Sequence, residues 1–586
     1  MTRFLTAVVA VAVAASAVRA ELADGNYRMS QHIGAVGESP ILVVKVEKKD
    51  GKPTIAAVEG STKNPLTVSD LTVDGDKVTF VFTAGTSKYT FRGTQDAKDA
   101  KVVRGTFSDG DRSFRASLTG QEGDMMVRPT PPKAPEPMTQ AQKFNLAATQ
   151  LNLKARQAKD PNDKAELQEK AKAAQKEADE KVPGLYREVI AKHADSPFAV
   201  DAASNLLRMA AKSKPTADEV AAWVKLIEAD AARYGASEGT AAVVGAGESL
   251  INQKDIAALA LPVAEKADKA VTEKDPLALQ SRVLKLLLAA QKAAGKTDAA
   301  IESRLAKVEA KLDEEYKAKV PPFKPTKFAG RKDKAANRVA VMELFTGAQC
   351  PPCIAADVAF DALEMAYDPK DLVLIQYHMH IPGPDPLTNP SSVARWDFYR
   401  EKFPEGIRGT PSTLFNGKPA AGGGGGMANA KSKFTQYAGL IDPLLEEKTD
   451  LKVGGSATAA GDKLKVAVDV AGVKEPGDNV RLHVILVEET IKYTGGNGLR
   501  FHHQVVRDLP GGADGTKITK EAQKADVEID LAKVKAGLTK YLDDFAADRP
   551  FPNADRPMDL KHLKVIALVQ NHDTREILNA VQMDVK

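Results

Sequence analysis

The sequence predicts a multidomain α+β protein in four successive parts: an N-terminal antiparallel β domain, an α-helical middle of helical hairpins, an α/β domain, and a C-terminal β sandwich. Three observations predict it. The spacing of apolar residues switches between a period of two and a period of three to four along the chain. Proline-rich stretches fall at two of the switches. At roughly 150 residues per domain, 586 residues call for three to five domains.

Residues 1–20, "MTRFLTAVVAVAVAASAVRA", combine a basic Arg3, a short apolar run and small residues at Val18 and Ala20. This is the layout of a secretory signal peptide and predicts a secreted or periplasmic protein. Residues 21–127 form the antiparallel β domain, a meander or small barrel, because short alternating segments are punctuated by Asp50-Gly51, Asp74-Gly75 and Asp109-Gly110. The linker 128–137 carries five prolines in "RPTPPKAPEP" and cannot hold a ladder or a helix.

Residues 138–320 are the helical domain. In "YREVIAKHADSPFAVDAASNLLRMAA" one amphipathic helix ends, Asp195 or Ser196 caps the next, and Pro197 sits in its first turn. The unit resembles a tetratricopeptide-type helical hairpin, which makes this segment the expected place for a protein partner. A second linker spans 321–337. Residues 338–448 read strand, helix, strand, crossover, strand and helix, a mostly parallel sheet with helices on both faces. Residues 449–586 return to alternating strands, interrupted by the helical "AKVKAGLTKYLDDFAAD", and read as a β sandwich.

Lys and Arg number 82 against 78 Asp and Glu, with no dense basic patch interleaved with aromatics, which argues against nucleic acid. No stretch after the signal approaches the roughly 18 apolar residues of a membrane span.

The chain has two cysteines, and both lie in "LFTGAQCPPCIAADVAFDAL". Closing a four-residue loop by a disulfide stabilises by only about 2 kcal/mol in the chain-entropy view, so the pair is poorly placed as a staple. Its position suits chemistry. Cys350 stands between a buried strand and a helix start, where backbone N–H groups favour a thiolate. Pro351 and Pro352 fit a first turn, and Cys353, one turn further in, is suited to resolve a mixed disulfide.

Strand, CxxC, helix, strand and then Gly409-Thr410-Pro411 before another strand resemble the thioredoxin superfamily, over 338–448. The fuller pattern "VMELFTGAQCPPC…IQYHMH…GTPSTLFNG" is similar to a secreted bacterial branch with an appended β domain. The resemblance implies a cis Pro411 against the cysteines, a Thr410 backbone that receives an extended substrate, and a proton-transferring acid, Glu343, in the preceding strand. Gln349 stands where that family has tryptophan, and Glu343 lies one residue further from the cysteine than the common spacing.

His378 and His380 alternate at a strand end and share a face; with the cysteines they offer soft ligands for copper or zinc. Lining of the site's edge is the expected role of both, and the metal site is the alternative. His502 and His503 are adjacent on a strand and cannot easily share a metal. "AAGGGGGMANAK" lacks the Gly-Lys-Ser/Thr of a phosphate loop and reads as an exposed flexible connector. Trp396 and Tyr399 read as core or groove wall. The expected function is a periplasmic thiol–disulfide oxidoreductase that acts on protein thiols and disulfides of the cell envelope through Cys350 and Cys353, with no cofactor beyond that redox-active pair. The competing expectations are an envelope scaffold with a non-catalytic core and a Cys/His copper-binding protein.

Overall fold

The computed structural model describes residues 22–60, 66–85, 87–108, 113–158, 160–552 and 555–586. The expected signal segment and the Asp109-Gly110 turn lie outside them. The described residues fall into two compact units, one ending at Leu312 and the other beginning at Asp313.

The first unit opens with eight strands: Gly25–Ile33 (β1), Gly37–Lys49 (β2), Lys52–Gly60 (β3), Leu66–Asp74 (β4), Lys77–Ala84 (β5), Ser87–Gln95 (β6), Val102–Ser108 (β7) and Ser113–Gln121 (β8). Each pairs antiparallel with its neighbour, in the order β3-β2-β1-β8-β7-β6-β5-β4. The edge strands β3 and β4 come alongside each other. The enclosed side holds Tyr27, Met29, Leu42, Phe80, Phe82, Phe91 and Phe107, so it is filled with side chains. Asp50 and Gly51 supply the positive φ of the β2–β3 turn.

Among the described residues nine α-helices follow, the last running past Leu312: Glu136–Gln157 (α1), Pro161–Lys192 (α2), Pro197–Arg208 (α3), Ala210–Ser213 (α4), Ala217–Ala232 (α5), Ala236–Ile251 (α6), Ala260–Ala270 (α7), Leu277–Ala293 (α8) and Ala299–Lys319 (α9). Ser196 caps α3 by accepting from Phe198 N, with Pro197 in the first turn. Strands and helices share this unit: Ala35 is part of the helical core, and Arg115 of β8 donates to Glu238 of α6 at 2.9 Å.

The second unit contains Ala340–Thr346 (β9), Ile354–Ala366 (α10), Leu372–His378 (β10), Pro390–Lys402 (α11), Ser412–Phe415 (β11), Lys418–Pro419 (β12) and Ala430–Leu445 (α12). Then come Lys452–Ala460 (β13), Lys463–Ala471 (β14), Gly477–Lys492 (β15), Phe501–Asp508 (β16), Thr516–Ile518 (β17), Gln523–Asp530 (β18), Leu531–Asp548 (α13), Leu563–Asn571 (β19) and Ile577–Asp584 (β20). The main sheet runs β12-β11-β9-β10-β16-β15-β19-β20, with β17 on β15.

Strands from both sides of position 448 therefore share one sheet, whereas the sequence expects two domains there. The join is β16 beside β10, parallel at Gln376 and Val505. All seven residues of β10 are buried, so its second edge needs a partner, and periodicity cannot say which strand supplies it. One face of the sheet carries α10 and α12 over β9 and β10. On the opposite face Trp396 and Tyr399 of α11 enter the core. The smaller sheet β13-β14-β18 packs across β15 and β19.

Candidate functional site

The tight turn Pro351–Cys353 leads directly into α10. Cys350 and Cys353 are joined in a disulfide. Cys350 N donates to Gly347 O at 3.0 Å, and Cys353 N to Cys350 O at 3.1 Å, which closes the turn. Thr410 and Pro411 lie against the pair: Thr410 Oγ1 is 3.4 Å from Cys350 Sγ, and Sγ is 3.6 Å from Thr410 O. The Thr410–Pro411 peptide bond is cis.

Cys350 is only 1 % exposed, although Pro351 and Pro352 beside it are exposed. Two glycine segments contribute to the enclosure. The run at 422–426 is solvent-facing but bonded to the site: Gly425 N donates to Pro352 O at 2.7 Å, and Ala355 N donates to Gly425 O at 2.9 Å. A first-turn N–H of α10 is thus satisfied by backbone where a side-chain cap would ordinarily serve. A Cβ on Gly424 would lie 1.8 Å from Pro352 O, so only glycine permits this approach. The expected flexible connector is a bonded strap, because glycine supplies close approach as well as freedom. On the other side Gln349 replaces bulk with hydrogen bonds, accepting from Gly496 N at 3.0 Å and reaching Tyr493 OH at 3.4 Å.

Glu343 does not join the cysteines. Side chains alternate along a strand, and Glu343 of β9 projects to the α11 side. There Arg395 Nε donates to it at 2.9 Å, Tyr377 OH at 3.0 Å, and Tyr399 OH also donates. The even-numbered residues of β9 face α10, and Thr346 reaches a different acid: its Oγ1 donates to Asp357 Oδ2 at 2.9 Å.

Asp357 lies one helical turn after Cys353, on the same face of α10. Gln376 Nε2 donates to its Oδ1 at 3.1 Å. Burial raises its pKa well above the usual carboxylate range, with the charges of Asp361 and Asp385 adding to the effect. The sequence signal was present: in "IAADVAFDALEMA" three acids, Asp357, Asp361 and Glu364, interrupt a helix that is otherwise apolar.

His378 and His380 are organised around Asp385. His378 Nδ1 lies 2.8 Å from Asp385 Oδ2 and its Nε2 3.2 Å from Gln376 Oε1. Asp385 N donates to His380 Nδ1 at 3.0 Å, and the His380 ring stacks on Phe545 of α13 with centroids 3.6 Å apart. Burial pulls the His380 pKa down to about 4. Neither imidazole converges with the cysteines on a metal position, and among the described residues no three His, Cys, Asp or Glu side chains form such a group. His502 sits edge-on to His378 at 4.8 Å. His503 turns to Glu364 of α10, 3.3 Å away. Gln504 after it has φ +51°, an irregularity in β16 where Gln504 and its neighbour His503 both reach Glu364.

No family model and no characterised protein sequence matches the chain. Two solved structures are similar to part of it. A structural-genomics protein from Agrobacterium tumefaciens matches at 19 % identity and a TM-score of 0.27, over 42 % of this chain and 94 % of that one. HBP35 of Porphyromonas gingivalis matches at 15 % identity and a TM-score of 0.30, over 42 % of this chain and 76 % of that one. At these scores neither likeness carries an argument.

Proposed function

We propose that this protein is a secreted or periplasmic thiol–disulfide oxidoreductase with a thioredoxin-like segment at 338–448. Its substrates are protein thiols or disulfides of the cell envelope, and the Cys350–Cys353 couple is the only redox group the reaction needs. The observation that carries the reading is the juxtaposition of the disulfide at the start of α10 with Thr410 and Pro411 against Cys350 Sγ. In the reduced protein the Cys350 thiolate attacks a substrate disulfide, one substrate thiolate leaves, and a Cys350 mixed disulfide remains. Cys353 then attacks Cys350 Sγ, the second substrate thiolate leaves, and the ring disulfide reforms. The Thr410 backbone, beside Cys350, supports an extended substrate chain.

A second reading, an envelope scaffold with a non-catalytic core, is favoured by one observation, the 1 % exposure of Cys350. The two readings separate in one experiment. Cys353→Ser should accumulate mixed disulfides with envelope proteins, resolved by non-reducing electrophoresis and identified by mass spectrometry, while Cys350→Ser accumulates none. Absence of adducts in both variants, with no turnover of a model disulfide by the wild type, would establish the scaffold.

A further inference from the structure

The acids of α10 continue beyond Asp357. Asp361 and Glu364 follow at helical spacing, so Cys353, Asp357, Asp361 and Glu364 form a row along one face. At 1.5 Å rise per residue, Cys353 to Asp357 and Asp357 to Asp361 are steps of about 6 Å along the axis, and Asp361 lies close enough to Asp357, His503 and Glu364 to interact with each electrostatically. The inner end of the row is the buried disulfide. The outer end is an open cleft of about 450 Å³ lined by Glu364, His503, Gln504, Glu489, Thr490 and Lys564.

We propose that this row is a proton path, with Asp357 exchanging protons with Cys353 and with Asp361, His503 and Glu364 carrying them to and from solvent at the cleft. It rests on the oxidoreductase reading above. The resolving step needs such a path. Cys353 must lose its S–H proton as the Cys350–substrate S–S bond breaks and the Cys350–Cys353 bond forms, and the leaving thiolate departs outward while that proton is released inside. Asp357 can accept it only after passing its own proton on to Asp361. The reverse reaction draws a proton inward along the same groups.

The environment of each group fits transfer near neutral pH. Burial pushes the Asp361 carboxyl up to about 7, with the His503 charge opposing and Glu364 adding. Burial pulls the His503 imidazolium down, but Asp361, Glu364 and Glu489 outweigh it and hold its pKa at about 9. Glu364 accepts from Gln504 Nε2 at 2.6 Å and, against its burial, is kept below its ordinary value by His503. The other titratable groups facing the row are Tyr316 of α9, near both Asp357 and Asp361, Tyr437 of α12 near Asp357, and Asp385.

The test uses the full chain, reduced and mixed with an aromatic disulfide that releases a coloured thiolate. Attack by Cys350 releases the first thiolate and resolution by Cys353 the second. Asp361→Asn should slow the second phase at least about 10-fold near pH 7 and abolish its apparent pKa there, leave the first phase unaltered, and be rescued by Asp361→Glu. The proton inventory of the second phase in mixed light and heavy water should change from curved to linear. If Asp361→Asn does not fold, Glu364→Gln at the cleft carries the same expectation. An unaltered second phase with a slow Asp357→Asn would overturn the path and leave the oxidoreductase reading standing. No first phase in the wild type would overturn both.

Discussion

Two buried polar clusters flank the same pair of strands and differ in how they hold protons. On the α11 side of β9 and β10, Glu343 accepts from Arg395, Tyr377 and Tyr399, while Arg395 also donates to Gln570 Oε1 at 2.7 Å and to Tyr399 OH at 2.8 Å. One carboxylate faces one guanidinium, and burial with the nearby Glu343 charge keeps both phenols protonated far above their ordinary range. On the α10 side, Asp357 is met by a hydroxyl and an amide, and its acid neighbours raise its pKa further. A buried charge balanced by a fixed partner holds no proton that can move. Acids left without such a partner retain protons that can move. The sheet separates a sealed ion pair from a row of exchangeable groups.

The largest expected effect breaks the sealed cluster. Arg395→Met leaves Glu343 buried and unpaired and should cost about 3–5 kcal/mol in urea unfolding. Adding Glu343→Leu should recover most of that loss, because the isolated charge disappears. If the double variant instead stays folded but loses disulfide turnover, Glu343 is a proton donor after all and the contrast between the faces collapses.

The next effect sharpens the open cluster through pH. The folded-state pKa of His503 is raised to about 9, above an unfolded value of about 6.5. Its stabilisation is fully present below pH 6.5 and is lost as pH rises through 9. That loss amounts to about 3 kcal/mol, and His503→Gln should flatten it in denaturant titrations between these pH values.

A smaller effect belongs to the strap. Gly424→Ala drives a Cβ into Pro352 O and, at 2.9 Å, the Pro411 ring. It should destabilise by about 1–3 kcal/mol in thermal unfolding, and it should raise the alkylation rate of reduced Cys350 by loosening the cover. The smallest belongs to Thr346. Thr346→Val removes one buried hydrogen bond to Asp357 and should cost about 1–2 kcal/mol, measured by chemical denaturation. A loss above about 4 kcal/mol would mean that Asp357 is held as tightly as Glu343.

Local order along the chain was legible because it depends on neighbours in sequence. Alternating segments with Asp-Gly turns became the β1–β8 sheet, Ser196 and Pro197 opened α3, and a strand, two cysteines and a helix became a disulfide at the head of α10. Glu343, expected beside the cysteines, lies on the other face of the sheet with Arg395 and Tyr377 for a definite reason. It sits near the cysteines in sequence, but a strand sends alternate residues to opposite faces, and the number of residues between strand and turn does not reveal which face meets the helix.

The sequence by itself determined the succession of β, helical and mixed segments and the place of the two cysteines at a helix start, since each follows from periodicity, capping and turn chemistry within a few residues. Tertiary structure alone decided that β16 closes the open edge of β10 and joins both halves of the second unit in one sheet, that Arg395 neutralises Glu343 from 52 residues away, and that His503 meets Glu364 at the far end of α10. The physical reason is shared by all three. Pairing and charge compensation depend on distance in space, and burial, which sets the protonation of Asp357 and Asp361, exists only once the sheet and α10 have closed over them.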